Sequence, residues 1–288
     1  MRFPVAVAQF APEKANVDAN LARIAEITLQ AASKGAELVV FSEASTSGYF
    51  LEGGVLECSL SSHDLSVKLA SRLHSSLSEP IDLVVGFYEN DNGTLYNSAA
   101  YLQASSTGVE VVQVYHKFFL PTYGVFDEER FVSSGNDIAV FDTRLGRVGI
   151  LICEDIWHSV LPAICAVRGA QLLIVPSATP SRGFSTEVPS NIERYERLLR
   201  GIAEEHSLYC IHAALNGFEG GKGFVGMSSV VDSRGNMIAR SPMMEDHLLL
   251  AEVDLESVAV SRANSPLLTD LQQRWQSIVS LAGQSELD

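Results

Sequence analysis

Short runs of β-branched and aliphatic residues recur along the chain, at 5–9, 37–41, 81–87, 109–115, 147–152, 171–175, 208–213, 226–231 and 247–253. Most are apolar at consecutive positions rather than at alternate ones, which predicts strands buried on both faces. Between several of them the apolar spacing becomes helical. In 16–33, Val17, Leu21, Ile24, Ile27 and Leu29 recur at helical intervals and Lys34-Gly35 supplies a C-cap. Segments 65–77, 159–168 and 191–206 also read as helices, the last with enough Glu and Arg to predict one wet face. Ser105-Ser106-Thr107-Gly108 marks the turn of a hairpin in mid-chain. The resulting order, β-α-β-α-β, a hairpin, β-β-α-β-α-β and closing strands, predicts an α/β fold with sheets inside and helices outside. No repeat or low-complexity stretch divides it, so residues 1–255 are expected to form one domain. Beyond Val253 the character changes: Ser265-Pro266 precedes a helix predicted over 267–281, and 256–288 is expected to be a tail at a subunit interface.

Composition narrows the partners. Of 288 residues, 47% are hydrophobic and 19% charged, which is the balance of a globular protein with a sizeable core. A net charge of -15 argues against nucleic acid and anionic membrane surfaces as partners. The N-terminal stretch turns polar too soon for a secretory signal, and no apolar run approaches the roughly 18 residues that span a bilayer. Cys58, Cys153, Cys165 and Cys210 include no C-x-x-C pair and are too scattered for a disulfide framework, so a reducing cytoplasm is expected. The histidines (His63, His74, His116, His158, His206, His212 and His247) form neither H-x-x-x-H nor H-E-x-x-H, so no metal is expected. The glycine-rich segment 217–223 has Lys222 followed by Gly223, not by Ser or Thr, and is read as a flexible loop rather than a phosphate-binding one.

Three residues at strand ends carry the candidate chemistry. Cys153 closes the run Val148-Gly149-Ile150-Leu151-Ile152 and opens the charged turn Glu154-Asp155. A structural cysteine belongs inside such a run as a small hydrophobe, whereas a nucleophile belongs at its end. Lys117 stands among His116, Phe118, Phe119 and Leu120, either snorkelling from a strand end or held ready for an anion. Glu43 ends Leu38-Val39-Val40-Phe41-Ser42, either as a solvated loop charge or at the strand-end edge where α/β sheets place ligands. Together a thiol nucleophile, a carboxylate base and a cation for an oxyanion describe acyl transfer from a carbon–nitrogen bond.

The segments Phe41-Ser42-Glu43, His116-Lys117 to Leu120-Pro121 and Cys153-Glu154-Asp155-Ile156-Trp157 resemble the nitrilase superfamily of carbon–nitrogen hydrolases. Supporting matches run from Val5-Ala6-Val7-Ala8-Gln9 to Asp232-Ser233-Arg234-Gly235, so the likeness covers nearly the whole chain. The resemblance implies a four-layer αββα sandwich, a Glu43–Lys117–Cys153 triad, no cofactor and a homodimer or higher homo-oligomer. It also implies a second glutamate that orients Lys117 and positions substrate. Counting back from Gly135, Glu128 fits that place better than Glu129, the competing reading being a solvated loop charge. The stretch 120–128 with Cys153-Glu154-Asp155 is similar to the glutaminase domain of glutamine-dependent NAD synthetases, which implies substrate contacts from Tyr123 and Glu154. Thr179 joins them as a candidate in the segment 176–183, where no residue matches that group's substrate arginine and Arg182 is the nearest stand-in. No Ser-Gly-Gly-x-Asp synthetase loop occurs in the sequence. The expected activity is hydrolysis of a small amide through a thioester on Cys153. The alternatives are a nitrilase and a glutaminase-like subunit that supplies ammonia to a separate synthetase. Loops 46–53 and 179–190 are expected to shape the acyl pocket.

Overall fold

The computed structural model describes residues 1–73, 76–183 and 187–284. In chain order the first half runs β1 (Arg2–Gln9), α1 (Val17–Ser33), β2 (Leu38–Val40), α2 (Val55–Cys58), α3 (Ser62–Leu73), β3 (Ile81–Asp91), β4 (Thr94–Ser105) and β5 (Gly108–His116). Then come β6 (Val140–Thr143), β7 (Gly146–Ile150), α4 (Val160–Val167), β8 (Leu172–Ser177), α5 (Ser190–His206) and β9 (Tyr209–Ala214). The remainder is β10 (Asn216–Glu219), β11 (Lys222–Val225), β12 (Ser229–Val231), β13 (Met237–Arg240), β14 (His247–Asp254), α6 (Leu255–Asn264) and α7 (Leu267–Gly283).

Two six-stranded sheets form, in the orders β14-β1-β2-β3-β4-β5 and β13-β12-β9-β8-β7-β6. Strand alternation explains why the runs are apolar throughout. Val5, Val7, Leu38, Val40 and Val84 enter a core shared with Val148, Ile150, Ile174 and Ile211 of the second sheet. Their neighbours Ala6, Ala8, Val39, Leu83 and Val85 face Leu21 and Ile24 of α1 and Leu65 and Leu69 of α3. Leu161 and Cys165 of α4, with Tyr195 and Leu199 of α5, cover the second sheet. The result is the αββα sandwich the resemblance implied.

Strands β1, β2 and β3 are mutually parallel, and the two antiparallel steps to β4 and β5 restore that direction. Strands β7, β8 and β9 are parallel as well. The ends of β2, β5, β7 and β8 therefore deliver the residues that follow them as loops at sheet edges, where open α/β sheets place ligands.

The structure departs from the sequence pattern in four places. Residues 217–223 are not a loop but lie within the β10–β11 hairpin, closed by Gly220 and Gly221 at φ 55° and 75°, the left-handed pair a tight hairpin turn requires. The strand expected over 226–231 begins only at Ser229, because Gly226 (φ 73°) and Met227 (φ 67°) are left-handed. A Cβ on Gly226 would lie 2.3 Å from Cδ of Gln9. Strands β6 and β13, which no apolar run announced, are ordered by their partners β7 and β12, whereas β4 is the first arm of the hairpin expected at 105–108. Directly after β14, α6 starts on an N-cap in which Asp254 accepts the Glu256 N–H at 3.0 Å, and it seats Leu255 and Val258 in the inter-sheet core. Part of the helix expected over 65–77 and of the loop 179–190 lies outside the described residues. Among the described residues no helix is long and apolar enough to cross a membrane.

Candidate active site

Glu43, Lys117 and Glu128 meet in a buried chain of ion pairs. The Lys117 Nζ donates to Glu43 Oε1 and to Glu128 Oε1, both at 2.7 Å, and the lysine and Glu43 side chains are wholly buried. Glu43 is held on its other sides by Asn97, whose Nδ2 donates at 2.8 Å, and by the main-chain N–H of Ala178 at 2.7 Å. Glu128 also accepts from the Tyr49 phenol, while its Oε2 has no partner among the described residues. Burial opposes the charge on Lys117, but the carboxylates of Glu128 and Glu43 outweigh it and hold the ammonium well above its ordinary pKa. Burial pushes Glu128 the other way, up to about 7, against the pull of Lys117.

Cys153 faces this chain from the second sheet. Its backbone takes φ 46°, a left-handed conformation that costs a non-glycine residue of the order of 1–3 kcal/mol. The turn is pinned at its carbonyl by Tyr195, whose phenol donates at 3.4 Å, and the thiol lies 3.4 Å from Thr179 Oγ1. Burial pushes the thiol well above its ordinary pKa; the charge of Glu43 adds to this, and Lys117 pulls back. A thiol shifted in that direction needs a base before it can act as a nucleophile. The charge of Glu43 acts on the thiol, while Glu128 bonds the same Lys117 ammonium.

Asp155 couples the cysteine turn to the lysine strand. One oxygen accepts the Phe119 N–H at 2.8 Å, the other the Ile152 N–H at 2.9 Å and the Tyr115 phenol at 2.8 Å. The same carboxylate thus fixes residues on either side of Lys117 and the residue before Cys153. Tyr123 and Glu154 pair beside the cysteine turn. Tyr123 donates to Glu154 Oε2 at 2.8 Å, its ring meets Phe126 edge-on, and the Arg182 guanidinium lies over the same Phe126. A cleft of about 450 Å³ opens on Tyr49 and Glu128 and is walled by Phe50, Phe126, Phe131 and Lys222. His116 stacks on Tyr96 and bonds Glu89 at 2.8 Å, and His158 stacks on Phe119, so both have structural partners.

The candidates Glu43, Lys117, Glu128, Cys153 and Thr179 thus converge, with Tyr123 and Glu154 paired beside them. Sequence reading missed Tyr49, Asn97, Asp155 and Tyr195. Asp155 stands inside the motif that flagged Cys153, and a turn made from an apolar strand end leaves its N–H groups seeking an acceptor. The other three lie far from Cys153 in sequence, and no spacing marks them.

The chain matches the carbon–nitrogen hydrolase family over residues 4–263. It belongs to that family. The glutamine-dependent NAD(+) synthetase of Acinetobacter baylyi is 29% identical over 96% of this chain, but the match takes in 49% of that protein. The chain therefore spans about half the length of the curated synthetases it matches. The omega-amidase NIT2 of Danio rerio is 28% identical over 97% of this chain and 98% of that protein. Among solved structures, the glutamine-dependent NAD+ synthetase of Acinetobacter baumannii superposes with a TM-score of 0.78 at 28% identity, covering 90% of this chain and 47% of that one. Membership makes this carbon–nitrogen hydrolase a hydrolytic enzyme of the nitrilase superfamily.

Proposed function

We propose that this carbon–nitrogen hydrolase cleaves the C–N bond of a small amide through a thioester on Cys153. The observation that carries the reading is a buried thiol on a left-handed turn, beside a carboxylate ion-paired to a fully buried lysine. Glu43 takes the thiol proton as sulfur attacks the carbonyl carbon. The negative charge then forming on the carbonyl oxygen is met by the Lys117 ammonium and the main-chain N–H of Glu154. Glu43 returns its proton to the nitrogen, the C–N bond breaks and ammonia or an amine leaves. Water, deprotonated by Glu43, attacks the thioester, and the C–S bond breaks to release the acid and restore the thiol. Glu128 keeps Lys117 in place, and its unpartnered Oε2 is an acceptor suited to an amide N–H of the substrate.

A glutaminase-type substrate is the second reading. It is favoured by the Tyr123–Glu154 pair, which holds a carboxylate beside Cys153 that could receive the ammonium of an amino acid amide. The test is ammonia release from a panel of glutamine, ω-amides of keto acids, carbamoyl amines and aliphatic amides, with nitriles in parallel and Cys153→Ala as control. Turnover of an amide that disappears in the variant supports the thioester route. Turnover of nitriles alone, or activity that survives Cys153→Ala, refutes it. Silence from folded protein on every compound refutes independent amide hydrolysis and favours a subunit that works only with a synthetase partner.

A further inference from the structure

The β10–β11 hairpin carries a buried acid that the reaction above does not use. Glu219 is 4% exposed and stands at the end of β10. Its Oε2 accepts two successive main-chain N–H groups, those of Tyr49 and Phe50, each at 2.8 Å. Consecutive N–H groups converging on one oxygen form an anion-binding concavity, so the loop is shaped around this carboxylate. Gly48, at φ 81°, admits it: a Cβ there would lie 3.0 Å from Glu219 Oε1. The Tyr88 phenol donates to the Tyr49 carbonyl at 2.8 Å, which pins the other side of the same residue. With its main chain held at both ends, Tyr49 has one freedom left, its side chain, and that phenol donates to Glu128. Glu128 in turn bonds Lys117.

We propose that Glu219 is a positioning residue: by fixing the main chain of Tyr49 it sets the Tyr49–Glu128 bond, and through it the place of the Lys117 ammonium that faces Cys153. The hairpin is then part of the site's architecture, not a lid of convenience, and Phe50 and Lys222, whose ammonium lies 4.3 Å over the Phe50 ring, are placed by the same contact. The inference rests on the proposed role of Cys153 as the reacting thiol, but its test does not require turnover of any amide.

The experiment measures alkylation of Cys153 by iodoacetamide, with the Cys153 peptide followed by mass spectrometry across pH. In that step the sulfur–carbon bond forms, iodide leaves and the thiol proton passes to the neighbouring base or to solvent. Wild type, Glu219→Gln, Tyr49→Phe and the double variant are compared, each first shown to be folded by circular dichroism. Glu219→Gln keeps the size but replaces the charged acceptor of the two N–H groups by a weaker neutral one, so the fold is retained while the hold on Tyr49 loosens. Each single variant is expected to slow alkylation at least fivefold, and the double variant to fall within twofold of the slower single one, because both act through one bond. Losses that multiply in the double variant overturn the proposal, as does a Glu219→Gln rate equal to wild type. An amide panel that stays silent while the two losses fail to multiply would sink the substrate reading and leave this one standing.

Discussion

Gly86 sits in β3 directly behind the loop that presents Glu43. A Cβ there would lie 2.3 Å from the Ser42 carbonyl oxygen, 2.7 Å from Glu43 Cα and 2.8 Å from Ala44 N. All three are main-chain atoms, and none can rotate away. Ordinary contact begins near 3.4 Å, so Gly86→Ala must push the 42–44 segment back by about 1 Å. Overpacking of this kind costs about 1–3 kcal/mol. The shift also stretches the bonds that the Gly86 carbonyl accepts from Ser45 Oγ at 3.0 Å and Thr46 N at 3.3 Å, worth about 1 kcal/mol each. With both bonds lost, the sum is about 3–5 kcal/mol. The effect on activity is larger than the effect on stability, because Glu43 holds its place through contacts of 2.7–2.8 Å to Lys117, Asn97 and Ala178, and a 1 Å displacement takes them past hydrogen-bond range. A misplacement of that size costs roughly a hundredfold in rate. The assay pairs urea unfolding with kcat on whichever amide the panel identifies. Gly201→Ala serves as control: Gly201 lies in α5 with nothing within 4 Å of its added Cβ, so that variant should gain about 0.5–1 kcal/mol and keep full activity. A Gly86→Ala protein within twofold of wild-type kcat and within 0.5 kcal/mol of its stability, margins well inside the rough costs above, would refute the reasoning.

Other outcomes follow from the same geometry. Cys153→Ala and Cys153→Gly should both abolish amide turnover, and denaturant titration should find the glycine variant about 1 kcal/mol more stable than the alanine one, because only glycine accepts φ 46° without strain. Asp155→Ala leaves the Phe119 and Ile152 N–H groups and the Tyr115 phenol without their acceptor, so thermal unfolding should show a loss of about 3 kcal/mol or more, with Cys153 alkylation slowed as its turn loosens. Burial holds the His212 imidazole down to about 3, against 6.5 in the unfolded chain, so between those values the unfolded state binds the extra proton and stability falls as pH falls. From pH 7 to pH 5 that group should cost about 2 kcal/mol, visible as a flatter stability profile in His212→Gln than in wild type.

Much of this protein could be read from the order of its residues. Runs apolar at every position predicted strands covered on both faces, and the two core sets of β1, Val5 with Val7 and Ala6 with Ala8, are that pattern realised. Three chemically distinct residues, each at the end of such a run, are local facts of sequence, because a strand end is where the chain leaves the sheet with a side chain free to act. Tertiary structure decided the rest. Whether Lys117 snorkels or is buried depends on Glu43 and Glu128 arriving from elsewhere in the chain, and no window of sequence contains all three. The hairpin at 217–223 looked like a loop because glycine content reports conformational freedom, not the partner strand that uses it. Tyr49, Asn97, Asp155 and Glu219 show the same limit. A hydrogen bond between residues up to 170 positions apart exists only once packing has brought the groups to 2.8 Å. The sequence determined which candidate chemistry the chain carries and the sandwich that presents it; only the packed fold decided which carboxylates flank the lysine, which turn presents the thiol, and what holds each of them in place.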